Sequence, residues 1–231
     1  MPEVGEEGQQ RLASSRVLVV GLGGLGSPAA LYLAAAGVGS LGLMDGDRVD
    51  RSNLQRQILY DSGDVGDYKA VCAARRIRAL NPNVETLPVS RPLENTSPLS
   101  EVASFDVVVD ATDSFESRLL LAGICARTGT PYVHAGIRSF LGQAMTVYPG
   151  RTACYGCIFD SPPSVPRGIP AGPLGALPGI LGSVQAAETL KVLLDIGTTL
   201  TNRIWTLDTL TMQSRTAAVK RRTDCPCCGG T

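Results

Sequence analysis

Two cations and an acid, Arg56, Lys69 and Asp113, are spaced so that a doubly wound fold would bring them to one ligand. Arg56 lies in a polar segment after the apolar run Leu41–Asp45, and Lys69 opens a helical stretch. Asp113 follows Phe105–Asp110, in Asp110-Ala-Thr-Asp113. All three fall at carboxyl ends of apolar runs, where parallel sheets bind ligands. Ahead of them, Val17–Val20 feeds Gly21-Leu-Gly-Gly-Leu-Gly26, in which Gly21, Gly23 and Gly26 fit G-x-G-x-x-G, and Asp45 follows about 20 residues later. Glycines let backbone approach phosphates, and a helix start supplies N–H groups and partial positive charge. Such a loop beside two cations and an acid suits phosphoryl or nucleotidyl transfer. Arg56 and Lys69 would neutralise phosphate oxygens and developing charge, and Asp113 would hold Mg²⁺. The loop and Asp45 alone equally suit an NAD(P)-dependent oxidoreductase, which has no use for the other three. Each also has a plainer account. Most Lys and Arg are solvated surface charges, and Asp113 could cap the helix that follows.

The cysteines carry a second chemistry. Cys154-Tyr-Gly-Cys157 and Cys225-Pro-Cys-Cys228 form two knuckles roughly 70 residues apart. Four thiolates suit a closed tetrahedral Zn²⁺ site with no open position for catalysis. The separation exceeds that of a zinc ribbon, so the metal would staple the C-terminal tail to the body. Cys227 leaves the second pair ambiguous; Cys225 and Cys228 keep the spacing and are preferred. Redox-active pairs are the alternative, set aside because neither reads as opening a helix after a strand. Cys72 and Cys125 lie in apolar helical settings and read as packing residues. His134, the only histidine, ends a strand near the site and could be a base. A lone strand-end histidine is more often a hydrogen-bonded structural residue, and it is assigned no role.

The elements that must position these groups are an α/β, Rossmann-like mixed sheet, with a parallel nucleotide-binding half, antiparallel C-terminal strands and a four-cysteine zinc staple. Strands are expected at Arg16–Val20, Leu41–Asp45, Val84–Val89, Phe105–Asp110 and Pro131–His134. Helices are expected at Gly26–Ala36, Asp67–Leu80, Phe115–Thr128 and Gly182–Asp195. Residues 1–15 read as irregular or a short helix. Gly46–Gly66 reads as a long functional loop with room for one helical turn. Gln143–Tyr148, Arg203–Asp208 and Gln213–Lys220 read as antiparallel additions. The Pro- and Gly-rich 160–182 stretch reads as a crossover rather than a packed element. At 231 residues the chain reads as a single domain, with 1–150 the nucleotide-binding half and 151–231 the crossover, partner-binding half and knuckles. Balanced charge gives no bulk basic surface for nucleic acid or an anionic membrane. No run approaches bilayer-spanning length and the acidic N-terminus is no signal peptide, so a cytoplasmic location is expected.

The chain resembles the ThiF/HesA/MoeB family, bacterial relatives of ubiquitin-activating enzymes, from about Gly5 to Gly229. The resemblance rests on Gly21-Leu-Gly-Gly-Leu-Gly26, Ala36-Gly-Val-Gly39, Asp45-x-Asp47, Ser52-Asn-Leu-Gln-Arg-Gln57, Val65-Gly-x-x-Lys69, Asn81-Pro82, Asp110-Ala-Thr-Asp113 and the two Cys pairs. It implies an adenylyltransferase that uses ATP and Mg²⁺ on the C-terminal glycine carboxylate of a ubiquitin-like sulfur carrier ending in Gly-Gly. A sulfur donor then converts the acyl-adenylate to a thiocarboxylate. By matching position, Gly24 approaches the phosphates, Asp45 takes the ribose hydroxyls, and Ser52, Asn53, Leu54, Gln55 and Arg56 line the site. Lys69 binds phosphate, Asp113 holds Mg²⁺ with Ser114 beside it, and Cys154, Cys157, Cys225 and Cys228 hold structural zinc. A homodimer is implied too. The pathway (molybdopterin, thiamin, tRNA thiolation or cysteine synthesis) stays open.

Three departures shape the expectation. An Arg-bearing opening helix of many members precedes the stretch matching Pro2-Glu-Val-Gly5, and Arg11 is not at its position, so adenylation by this chain is expected to be slow. Several members carry a catalytic Cys in the crossover, but no Cys lies between Ile158 and Asp224. A covalent thiol step there is not expected, and the reaction should stop at the acyl-adenylate. The family's Thr-Asp-Asn is Thr112-Asp113-Ser114, where Ser replaces only one hydrogen bond of Asn. With no rhodanese-like domain after Thr231, sulfur is expected from a separate donor. A non-catalytic protein that still binds the carrier is the remaining alternative.

Overall fold

The computed structural model describes residues 1–97, 99–162 and 172–229. Eight strands form one sheet in the order β3-β2-β1-β4-β5-β6-β7-β8. Strands β1 (Arg16–Val20), β2 (Ser40–Met44), β3 (Glu85–Val89), β4 (Val107–Asp110) and β5 (Tyr132–Arg138) run parallel. Strands β6 (Leu141–Val147), β7 (Arg203–Asp208) and β8 (Gln213–Ala218) are added antiparallel. The parallel strands read as near-continuous apolar runs because helices cover both faces. Val17 and Val19 of β1 enter one core and Leu18 and Val20 the other, as the two-residue period requires. The first core packs β1 and β2 against α1 (Gly5–Ser14), α2 (Gly26–Ala35), α3 (Lys69–Leu80) and α7 (Ala176–Leu194). The second packs α4 (Leu99–Ala103), α5 (Phe115–Thr128) and the one-turn α6 (Tyr155–Ile158).

Several elements differ from the sequence-based expectation. Helix α7 begins at Ala176, not Gly182. Pro178 and the glycines suggested a break, but proline in a first turn gives up an N–H that has no intrahelical partner. At Gly182 an added Cβ would lie 2.2 Å from the Leu25 carbonyl oxygen, so glycine lets α7 press onto the start of α2. Strand β5 continues past His134 to Arg138 and pairs with β6 across a turn whose Ser139 has φ 53°. Helix α4 was not foreseen, and five residues are too few to show a period. Cys154 stands at the N-cap of α6, so the first Cys pair does open a helical turn. Part of the expected crossover, residues 163–171, lies outside the described residues.

Candidate active site and metal centre

The chain crosses from one side of β1 to the other on its way to β4, so the carboxyl ends of these neighbours open a crevice. A cleft of about 570 Å³ lies there, lined by Gly21, Gly23, Gly24, Asp45, Arg56, Lys69 and Asp113 among others. The glycine loop that forms one wall is tightly wound. Gly21 has φ +87°, and a Cβ there would meet the Ala111 carbonyl oxygen at 2.6 Å; one on Gly26 would meet the Gly21 oxygen at 1.9 Å. Neither place admits a side chain, and no hydrogen bond is made by the Gly23 and Gly24 N–H groups among the described residues. Asp45 ties this loop to the end of β2. Its Oδ2 accepts from Leu22 N at 2.7 Å and its Oδ1 from Asp47 N at 2.8 Å. Burial raises its pKa above the usual carboxylate value, opposed by the Lys69 charge and these two N–H groups.

Lys69 enters from the first turn of α3 and is 5% exposed. Its Nζ lies 2.7 Å from Asp47 Oδ2 and 4.0 Å from Asp45 Oδ1. Arg56 comes from the loop after β2, where Asn53 O accepts from both Arg56 N and Gln57 N. Its stem packs on Gly24, so that a Cβ there would lie 3.3 Å from Arg56 Cγ. Asp113 is exposed beyond β4, and its carboxylate makes no hydrogen bond or ion pair among the described residues. Cations therefore stand opposite an unpaired acid, around open N–H groups. That arrangement can bind a polyphosphate with a divalent metal.

The remaining expected ligands are placed differently. Ser52, Asn53, Leu54 and Gln55 do not line the cleft. Ser52 turns its hydroxyl to Asp50 Oδ1 (2.6 Å), which caps the 3₁₀ turn Arg51–Asn53, and Asn53 Nδ2 donates to Ser52 Oγ at 3.3 Å. Leu54 packs against the first core, and Gln55 abuts Gly175. These four form the wall that holds Arg56. Ser114, not Asp113, caps α5: its Oγ accepts from Ser117 N at 3.0 Å. The helix-cap account of Asp113 therefore fails, which leaves its carboxylate free.

Six polar side chains in the lining had not been singled out for the site: Asp47, Gln57, Thr112, Ser117, Arg118 and Arg138. Asp47 was visible only as the second acid of Asp45-x-Asp47. Arg118 stands in the first turn of α5, five residues after Asp113, and donates to Thr112 O at 3.1 and 3.3 Å. Arg138 comes from the part of β5 that was not foreseen. Arg11 is spent elsewhere, donating to Leu193 O and Leu194 O at the end of α7.

The four cysteines Cys154, Cys157, Cys225 and Cys228 converge, with all Sγ atoms within 4.8 Å of one another. The resolved Sγ–Sγ distances from Cys154 are 3.8 Å to Cys157, 3.5 Å to Cys225 and 3.4 Å to Cys228. A tetrahedron with Zn–S of about 2.3 Å has edges of about 3.8 Å, so the thiolates fit zinc with a slight expansion. Cys227 lies beside the cluster but its Sγ donates to Leu119 O at 3.6 Å and is not among the four thiols that converge, which favours Cys225 and Cys228 as the second pair. Cys72 and Cys125 are buried in the cores, as expected.

Comparison with known proteins accords with this geometry. The model of the ThiF family matches residues 1–227. The SAMP-activating enzyme E1 of Haloferax volcanii is 48% identical over 232 residues, covering 99% of this chain and 86% of its own length. The sulfur carrier protein adenylyltransferase of Thermus thermophilus is 44% identical, covering 99% and 88%. The adenylyltransferase and sulfurtransferase MOCS3 of Bos taurus is 42% identical, and this chain spans 51% of it. Among solved structures, E. coli MccB with MccA-N7isoASN superposes with a TM-score of 0.86 at 22% identity, over 96% of this chain and 69% of that one, a likeness of fold. On the family match over residues 1–227 and these identities, the chain belongs to the ThiF family.

Proposed function

We propose that this protein adenylates the C-terminal glycine carboxylate of a small ubiquitin-like sulfur carrier with ATP. The observation that carries the reading is the convergence of Arg56, Lys69 and the unpaired Asp113 on one cleft beside the glycine loop. A carboxylate attacking the α-phosphate of a polyanion meets like-charge repulsion unless cations offset it. Arg56 and Lys69 are placed to bind phosphate oxygens and leaving pyrophosphate. The loop N–H groups of Gly23 and Gly24 are open to the same polyphosphate, and Asp45 faces the cleft as an acceptor for ribose hydroxyls. Asp113 would hold Mg²⁺, which supplies further neutralisation of the phosphates when bound. The relatives named for sulfur carriers and SAMP activation support a carrier tail as acceptor. An NAD(P)-dependent oxidoreductase gives no account of the three charges together.

An exposed apolar rim supports a protein substrate. Phe140 and Leu141 at the β5–β6 turn, and Leu210 and Met212 at the β7–β8 turn, are all exposed. The two turns are joined by Thr209 N donating to Phe140 O at 2.9 Å. The rim adjoins Ile137 and Arg138 of the cleft, so a carrier seated there could send its tail to the nucleotide. Cys154, Cys157, Cys225 and Cys228 would hold zinc as a structural ion. A homodimer accords with the exposed Ile58, Val65 and Val71. No helix among the described residues is long and apolar enough to cross a membrane.

ATP–pyrophosphate exchange against small proteins ending in Gly-Gly tests the reading. Exchange by the wild type that Asp113→Ala abolishes is the expected result. Carrier binding with no exchange would instead assign a non-catalytic carrier-binding protein.

A further inference from the structure

The only histidine of the chain lies beneath the cleft, and it touches the loop that carries Asp113. His134 and Asp110 are both fully buried, with His134 Nδ1 2.7 Å from Asp110 Oδ2. The other carboxylate oxygen of Asp110 is taken by Thr112, whose Oγ1 donates at 2.7 Å and whose N donates at 3.2 Å. Gln143 Nε2 lies 3.5 Å from His134 Nε2, which suits a ring that donates from Nδ1 and accepts at Nε2. The ring is held from the other side by Tyr155, centroids 4.8 Å apart, on the one-turn helix between Cys154 and Cys157. Arg118 fixes the Thr112 carbonyl from above.

Thr112 is thereby gripped at its hydroxyl, its N–H and its carbonyl, one residue before an Asp113 whose own side chain has no partner among the described residues. We infer that His134 and Asp110 are positioning residues that act through Thr112 to set Asp113 for the metal of the bound nucleotide. This rests on the nucleotide reading of the cleft. An exposed carboxylate on a loose loop must be ordered when metal binds; one whose backbone is already fixed is not charged that entropy. A buried carboxylate–imidazole pair serving stability alone is a poor choice, since apolar residues of similar volume commonly do as well or better. Partners that orient a metal ligand commonly carry about 10–100-fold of metal affinity.

The test is ATP binding by the full chain, titrated against Mg²⁺ without any carrier, with the melting temperature followed in parallel. Thr112→Val removes the hydroxyl at nearly constant shape, and His134→Leu removes the ring donor. Each is expected to raise the Mg²⁺ concentration for half-maximal ATP binding about tenfold. Thr112→Ser and His134→Asn, which keep a donor toward Asp110, stay within about twofold. A loss of packing alone would lower the melting temperature and leave the Mg²⁺ midpoint in place. Should His134→Leu not fold, Thr112→Val decides. Wild-type Mg²⁺-dependent binding that Thr112→Val leaves unchanged overturns the inference alone. A wild type that binds no ATP at any Mg²⁺ concentration overturns the nucleotide reading, and the inference with it.

Discussion

Replacing Lys69 by Met removes a charge from a place that water scarcely reaches. Lys69 is 5% exposed, and its Nζ is 2.7 Å from Asp47 Oδ2 and 4.0 Å from Asp45 Oδ1. With phosphate bound about 4 Å away and an effective dielectric constant of about 20, one charge pair is worth about 4 kcal/mol. Against this stands the resting pair with Asp47. That side chain is 75% exposed, so solvent screens the pair and it contributes at most about 1 kcal/mol. The difference is about 3 kcal/mol, or about a hundredfold in kcat/KM for ATP. One further effect acts in the same direction: Asp47 loses its counter-charge and repels the polyphosphate. The Asp45 carboxyl, already raised by burial, loses the cation that opposes the rise, and the charge it sheds offsets part of that repulsion. The assay is ATP–pyrophosphate exchange at saturating carrier, with melting followed separately. The screened resting pair implies only a small change in melting temperature. A folded Lys69→Met protein within about fivefold of wild type would refute the assignment of Lys69 to phosphate.

Three other outcomes follow from the same structure. Elemental analysis of the purified protein is expected to find one zinc per chain, lost in Cys228→Ser together with a large fall in melting temperature, and kept in Cys227→Ser; equal loss in both would contradict the ligand set. Stability should fall on acidification from pH 7.5 to 5. Burial holds the folded His134 pKa below its ordinary value, so the unfolded chain takes up the proton first, from about pH 6.5 downward. The depressed Asp110 adds a loss only below about pH 4, where its unfolded carboxylate protonates, while the raised Asp45 acts in the opposite sense and is common to both proteins compared. His134→Asn should flatten the pH 7.5–5 slope, and an unchanged slope would count against a buried neutral ring. Leu210→Glu with Met212→Glu, at positions 71% and 69% exposed, should weaken carrier binding about tenfold and leave ATP binding alone; unaltered carrier affinity would move the docking surface elsewhere.

The strands were legible because buried parallel strands are written as short apolar runs, and the glycine loop because its glycines answer to contacts no side chain could make. Asp113 stood out by position just past such a run, and Arg56 and Lys69 by lying in and at the end of the long segment that leaves β2. What the chain did not disclose depends on tertiary arrangement. Ser52 was expected at the site from the family resemblance alone, and only the folded turn shows its hydroxyl donating to Asp50. The plainer account of Asp113, a helix cap, could be set aside only once Ser114 was seen to occupy that place. Arg118 is an unremarkable helical arginine in sequence, and only the register of α5 returns it to the Thr112 carbonyl. The start of α7 was hidden because Gly182 reads as a breaker locally, whereas its reason is the nearby Leu25 carbonyl.

The antiparallel half of the sheet explains why a nucleotide fold of this kind would act on a protein tail. Strands β1, β2 and β4 with their helices already form the glycine loop, Asp45, Lys69 and Asp113, enough to bind a nucleotide. The hairpin β5–β6 and strand β7 add an exposed apolar rim and bring Arg138 to the cleft. They also lock the junction between the two halves from below. Gln185 of α7 donates to the carbonyls of Asp110 at 2.7 Å and Val133 at 3.0 Å, and His134 reaches Asp110 from β5. The cysteine cluster in turn fixes α6, whose Tyr155 rests on His134. A macromolecular substrate delivers its carboxylate from outside the nucleotide pocket, so the wall between rim and phosphate must be stiff if the tail is to arrive in line. The cysteine cluster, the buried His134–Asp110 pair and the exposed apolar turns would then be parts of one device, and the end of β4 is where it would meet the nucleotide.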